Sequence, residues 1–224
     1  MILVRAAIVV VAVAGAAAPA RAQTQPGRVE VALGVQWTSR AAMTSIDANE
    51  TAADLSKLRL FSSTTELGAA AGIEARVGVR LSRRLEVEAT GTYARPQLRV
   101  TAGNDYELPA GATAIATEQL RLFSVSGAVV SLVPVRRLGE RTTPFVTAGA
   151  GYARELHEND TFAVGGAQFY AGGGVKRLLL TRDRRMKSLG VRGDARAIAR
   201  SKALATDDRV HVSLALTASL FVRF

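Results

Sequence analysis

The chain has 224 residues, a formal net charge of +10 and no cysteine, and 48% of its residues are hydrophobic. This length suits a single domain, the composition excludes a disordered chain, and the lack of cysteine excludes disulfides and thiolate metal sites. The basic residues alternate with acidic ones instead of forming runs with aromatic residues, so the charge does not indicate a nucleic-acid partner. With only two histidines, His157 and His211, we expect no metal and no other cofactor.

The first 22 residues predict a cleaved signal peptide. Arg5 precedes an apolar stretch, and Ala20-Arg21-Ala22 has the small-x-small pattern of a cleavage site. The apolar stretch is shorter than the roughly 20 residues that a spanning helix needs. The exported domain is therefore expected to cover residues 23–224.

Alternation of apolar with small or polar residues dominates the rest of the chain and predicts β-strands. The predicted strands lie at about 27–38, 67–81, 85–94, within 118–133, and at 144–153, 169–177, 189–198 and 210–224. In the fourth strand the register is ambiguous, because apolar residues occupy both parities. Between the first two strands lies a long polar segment, Ser39 to Thr65, in which Asp47 to Leu55 could form a short helix. A second long connection, Thr101 to Ala112, is predicted to be a loop.

Eight strands of this kind could form a soluble sandwich, with the apolar face buried, or a membrane barrel, with the apolar face toward lipid. The polar face is rich in Gly, Ala, Ser and Thr, with a few charged residues. Such a face fits the narrow interior of an eight-stranded barrel better than a solvated surface. We therefore predict an all-β fold, an eight-stranded antiparallel up-and-down transmembrane β-barrel.

The charged residues of the inward parity predict a salt-bridge network in the barrel lumen. Its members are Glu74, Arg76, Arg80, Glu86, Glu88, Arg192, Asp194 and Arg196, with Glu30 and Lys176 as further partners. On the outward parity, Trp37, Tyr93 and Tyr152 close three strands that run in the same direction. They are predicted to lie at one membrane interface.

The lengths of the connections predict the orientation of the barrel. Short turns of outer-membrane barrels lie in the periplasm and long loops lie outside. Both termini are then periplasmic, and the short turns there, such as Ser82-Arg83-Arg84, are basic. This basic collar could contact anionic headgroups or acidic cell-wall groups, or it could be merely solvated.

The sequence resembles the small outer-membrane β-barrel proteins of Gram-negative bacteria, the OmpA/OmpX-like group. The resemblance rests on the cleavage site, on the segments Pro144 to Tyr152 and Leu189 to Asp194, and on the final Leu220 to Phe224. It implies residence in the outer membrane, with outer-membrane lipid and the barrel-assembly machinery as partners. It also implies that Leu220, Val222 and Phe224 form the assembly signal.

Three functions remain open at this point. The first is a non-enzymatic barrel with a structural role or with contacts made through its loops, chiefly Ser39 to Thr65. The second is a narrow pore or small-molecule carrier. The third, less favoured, is a lipid A deacylase, because His211 and Ser213 share one face of a strand and resemble the His-x-Ser pair of those enzymes. No catalytic residue is assigned, and any external ligand of the loops is unknown.

Overall fold

The computed structural model describes residues 29–51, 57–103, 113–135, 138–139, 141–156, 163–181, 187–201 and 210–224. The predicted signal peptide lies outside these residues. Strands fill most of the described chain, and their bounds are β1 Val29–Thr38, β2 Ala41–Thr51, β3 Lys57–Leu67, β4 Ala70–Arg80, β5 Leu85–Ala94, β6 Gln97–Gly103, β7 Thr113–Gln119, β8 Arg121–Leu132, β9 Thr142–Leu156, β10 Ala163–Thr181, β11 Ser188–Ser201 and β12 Val210–Arg223. Within this part of the chain, no helix has the length and apolar character needed to cross a membrane.

Eight of these strands form a closed barrel in the order β1-β12-β11-β10-β9-β8-β5-β4. Every pair is antiparallel, and barrel strands that follow each other in the sequence are neighbours. The barrel closes where β1 pairs with β12, with Leu33 opposite Leu220 and Val31 opposite Val222. The predicted eight-stranded antiparallel up-and-down barrel is confirmed.

The alternation seen in the sequence places apolar side chains on the outside of the barrel. Leu33, Ile73 and Leu214 are each more than half exposed, whereas their sequence neighbours of the other parity point inward. The fourth barrel strand, β8, has one clear register. Phe123 and Val125 face outward, while Leu122, Val130 and Leu132 are buried inside. Apolar residues occupy both faces of β8. The outer face points away from the barrel, and the inner face packs on lumen side chains such as Phe145.

The long polar segment is not a loop with a helix, as the sequence suggested. Residues Ala41–Thr51 and Lys57–Leu67 form the hairpin β2–β3, so the predicted helix over 47–55 is wrong for 47–51; residues 52–56 lie outside the described part. Likewise, Thr101 to Gly103 belong to β6. These hairpins form a second, four-stranded sheet in the order β2-β3-β6-β7. The ladder continues beyond the barrel because it pairs backbone groups that a loop would leave to water.

This second sheet, called here the surface sheet, is anchored by a small apolar cluster next to the barrel. Ala41, Met43, Leu67 and Leu120 are buried together, and Leu98 packs against them. Leu67 was expected on the outer apolar face of a barrel strand, but it ends β3 and points into this cluster. Ser39 ties the sheet to β12, since its amide donates to the carbonyl of Leu214 and its hydroxyl accepts from the Leu214 amide.

The two ends of the barrel differ. One end, called here the sheet end, carries the surface sheet. The opposite end, called the turn end, carries the tight β4–β5 connection, in which the Leu81 and Ser82 amides both donate to the Leu85 carbonyl. At the sheet end, β9 and β11 are longer than the sequence indicated. Glu155 and Arg200 lie beyond the predicted strand ends, yet both are buried strand residues.

Candidate functional site

The most distinctive site is the barrel lumen, where charged side chains from opposite walls meet. Near the turn end, the ammonium group of Lys176 on β10 lies among three carboxylates. Its Nζ is 2.7 Å from Glu30 Oε1, 2.8 Å from Glu86 Oε1 and 3.4 Å from Glu88 Oε1. Arg223 binds the second oxygen of Glu30 at 2.8 Å. This group joins strands β1, β5, β10 and β12 across the lumen.

A second group lies toward the middle of the barrel and is centred on Asp194. Its carboxylate pairs with Arg76 at 2.9 Å, with Arg192 at 3.0 Å and with Arg196 at 2.8 Å. Glu74 bridges Arg196 at 3.0 Å and also pairs with Arg76. Because each carboxylate serves more than one guanidinium, the group is a connected network and not a set of isolated pairs.

Arg192 joins the two groups, since it pairs with both Glu88 and Asp194. We call the whole assembly the lumen network. Among the described residues it holds five cations and five carboxylates, so that its formal charge is zero: Arg76, Lys176, Arg192, Arg196 and Arg223 with Glu30, Glu74, Glu86, Glu88 and Asp194. Nearly all of these side chains are buried. Charges in such a setting are tolerated only when they are paired and hydrogen-bonded.

The structure brings together seven of the eight residues predicted from sequence for this network. The eighth, Arg80, points inward at the end of β4 but instead lines a cavity at the turn end. Thr217 was missed. Its hydroxyl accepts from Arg76 at 3.0 Å and donates to Asp194 at 2.5 Å. The alternation of β12 already places Thr217 on the inner face. However, an uncharged residue at such a position does not by itself indicate a member of an ion-pair network.

Three carboxylates also raise the question of a metal ion. Oxygens of Glu30, Glu86 and Glu88 lie within 4.8 Å of one another, a spacing that could hold a cation. In this protein the ammonium of Lys176 lies among them and supplies the positive charge. In the described structure, these three carboxylates therefore bind the ammonium group of Lys176.

Aromatic rings fill the space that the charged groups leave. The guanidinium of Arg192 lies 4.2 Å from the centre of the Phe145 ring, and that of Arg196 lies 5.3 Å from the Tyr170 ring. Phe221, which breaks the alternation of β12, is fully buried in the lumen. Such cation–π contacts strengthen in a dry environment.

Strand glycines make room for these rings. A Cβ on Gly149 would lie 2.6 Å from the Tyr170 ring, and one on Gly190 would lie 2.3 Å from Phe221. Packing of the narrow lumen therefore requires both large aromatic side chains and glycines, which leave space for them.

The outer surface carries the aromatic residues singled out from sequence. Trp37, Tyr93 and Tyr152 lie near the sheet-end termini of β1, β5 and β9. Trp37 and Tyr152 are exposed, and the Tyr93 ring packs on Phe123 at 4.8 Å between centroids. Leu220 faces outward on β12, as do the last residues of the same parity, Val222 and Phe224. The Phe224 amide donates to the Val29 carbonyl, at the turn end.

His211 and Ser213 do not contact each other through a hydrogen bond in this structure. Nδ1 of His211 lies 3.1 Å from the carbonyl oxygen of Ala42 in the surface sheet. The hydroxyl of Ser213 is buried on the inner side and has no hydrogen-bond partner. In this structure His211 contacts the base of the surface sheet.

An apolar belt outside, a paired charged interior and a closed ladder together define the class of protein, a β-barrel that crosses a lipid bilayer with its strands. The fold that the sequence resemblance implied is thus confirmed.

Solved structures similar to the chain include Neisserial surface protein A, at 12% identity and a TM-score of 0.48, covering 87% of this chain and 97% of that one. Another is the outer membrane protein OprG from Pseudomonas aeruginosa, at 9% identity and a TM-score of 0.47, covering 89% and 97%. The attachment invasion locus protein Ail of Yersinia pestis, in complex with the heparin analogue sucrose octasulfate, has 14% identity and a TM-score of 0.43, covering 89% and 100%. No family model matches the chain, and no curated protein matches it.

Proposed function

We propose that this protein is a non-enzymatic barrel of the Gram-negative outer membrane that uses its surface sheet as a contact surface outside the cell. The observation that carries this proposal is the contrast between the two parts of the molecule. The lumen is filled by a neutral network of buried charges, and the surface sheet projects from one end with most of its described side chains in solvent.

The outer membrane follows from the way the chain crosses the bilayer. A closed barrel leaves no strand edge exposed to lipid, which is the condition for spanning with strands. Barrels of this kind place their long connections outside the cell and their short turns in the periplasm. We accordingly assign the surface sheet to the outside and the basic turn end to the periplasm. Outer-membrane lipid and the barrel-assembly machinery are the partners that this location requires.

The surface sheet suits contact with another molecule because it is extended and polar. Its edge strand β7, Thr113–Gln119, has almost every residue exposed, and Ile115 is 59% exposed. Ser, Thr and Asn side chains offer donors and acceptors along both faces. A hairpin held by the buried cluster around Leu120 presents these groups on a firm base.

Orientation is tested by labelling on intact cells, using single cysteines in a chain that has none of its own. We expect an Ile115→Cys variant to react with a membrane-impermeant maleimide. The matched control Arg84→Cys, on the exposed turn at the other end, reacts only after lysis. Labelling of Arg84→Cys and not Ile115→Cys on intact cells would reverse the orientation and defeat the proposed contact role.

Transport is the alternative function, and conductance measurements distinguish it from the proposed contact role. Across the lumen, Lys176 and Arg192 are held by carboxylates and flanked by Phe145. Ions would have to break these pairs to pass. We therefore expect the folded protein in planar bilayers to show no discrete conductance steps. Reproducible steps that disappear in heat-unfolded samples would favour a narrow pore.

A further inference from the structure

A cavity of about 510 Å³ lies at the turn end of the barrel, and the lumen network does not extend into it. Arg80 at the end of β4 and Arg83 in the following turn are among its lining residues. Thr142 and Thr143, at the start of β9, contribute hydroxyl groups, and Leu132 and Val135 give an apolar wall. The volume is within the range of sites that bind small molecules, roughly 300–1,000 Å³.

Arg80 is a surplus cation at this position. The nearest carboxylates on its side of the lumen are already engaged, because Glu86 binds Lys176 and Glu30 binds both Lys176 and Arg223. The network contains equal numbers of positive and negative groups without Arg80. Among the described residues, Arg80 belongs to none of the ion pairs, although its side chain is partly buried. Glu86 and Glu30 act on Arg80 only as carboxylates that it shares with Lys176 and Arg223. A partly buried cation that shares its carboxylates in this way is incompletely compensated and attracts a further counter-charge.

The residues around the cavity determine which counter-charge fits. Guanidinium groups bind the oxygens of phosphate in a forked geometry, and threonine hydroxyls donate to the remaining oxygens. The apolar wall beside these donors suits an anion that carries an organic group. We propose that this cavity is a binding site for a phosphate ester at the periplasmic mouth of the barrel, either a phospholipid headgroup or a soluble phosphate ester, with Arg80 and Arg83 as the binding residues.

The proposal is tested by titration of the folded, isotopically labelled protein, with the amide signals of Thr142 and Thr143 as reporters. One arm adds glycerol phosphate to protein in detergent micelles. The other arm titrates the protein in nanodiscs with a rising fraction of phosphatidylglycerol in phosphatidylcholine, whose phosphate is already paired with its own choline group. We expect saturable shifts in at least one arm, and the arm that responds identifies the source of the phosphate. Absence of saturable shifts in both arms would overturn the proposal.

Matched variants separate a site from general attraction to a basic surface. Arg80→Gln and Arg83→Gln should each weaken binding about tenfold, the loss expected for one charge-assisted hydrogen bond. Arg84→Gln removes the same charge from the same turn but lies outside the cavity lining, and it should leave binding within about twofold. An equal loss in all three variants would contradict the proposal. Heat-modifiable migration on gels confirms that each variant is folded, and the exposed Arg83 provides the test if Arg80→Gln does not fold.

Discussion

At the scale of single residues, the lumen network joins charged side chains that lie far apart in the sequence. Parity alone placed Glu74, Arg76 and Asp194 on one face, since the side-chain period of a strand is two. Their pairing across the barrel depends on which strands are neighbours and on their stagger. Lys176 and Glu30 are 146 positions apart in sequence yet 2.7 Å apart in space. The sequence around either residue gives no indication of this contact.

Lys176 gives the sharpest prediction at this scale, because a single ammonium holds three carboxylates. Lys176→Met keeps the length of the side chain but leaves Glu30, Glu86 and Glu88 to repel one another in a buried space. We expect a loss of roughly 3–5 kcal/mol in the free energy of unfolding, as for other broken buried pairs. Urea unfolding in lipid vesicles, followed by the fluorescence of Trp37, measures it.

The control for this variant is the adjacent residue on the same strand. Arg177→Met also removes one positive charge, but from an exposed position on the opposite face. Its effect should stay within about 1 kcal/mol, as for a charged residue on the lipid face near the membrane interface. Equal effects of the two substitutions would show that the three carboxylates do not depend on Lys176.

At the scale of elements, the barrel strands were predictable and the surface sheet was not. Barrel strands alternate between lipid and a packed lumen, so their sequences carry a strong period of two. The strands of the surface sheet have solvent on both faces beyond their base, and selection for alternation is therefore weak. Segments such as Ser62 to Thr65 look like loop in composition. The one early sign was Leu58 to Phe61, where a short alternation begins.

The buried cluster beneath the surface sheet predicts that this sheet can be loosened without opening the barrel. Leu120 is completely buried between the sheet and the barrel rim. Leu120→Ser removes its apolar contacts and buries a hydroxyl. We expect trypsin to cleave within β3 or β6 of the folded variant, at least tenfold faster than in the parent protein, because local opening there becomes easier.

The barrel itself should be unaffected by this substitution, and the unboiled sample should keep its faster migration on gels. Leu179→Ser, at an exposed position of β10 near the turn end, is the control for the chemical change alone. Loss of the barrel migration in Leu120→Ser would mean that sheet and barrel fold as one unit.

At the scale of the whole molecule, the protein reverses the arrangement of a water-soluble domain. Charged groups are inside, where they are paired, and apolar side chains are outside. The arrangement is stable only if lipid covers the outer face, since exposed apolar area of this extent is unfavourable in water. The fold therefore requires a membrane. Both can be tested together by determining which residues of a single strand face lipid.

The most direct test is a cysteine scan along β12 with a fluorescent label, in vesicles containing brominated lipid. Cysteines at Leu214, Leu216 and Leu220 replace outward side chains, and those at Ala215, Thr217 and Ser219 replace inward ones. Bromine quenches only a label that touches lipid. We expect strong quenching at the first three positions. At the second three we expect little labelling and no quenching, because the packed lumen leaves no room for the label. Uniform quenching, or quenching absent throughout with every position open to a water-soluble quencher, would contradict it.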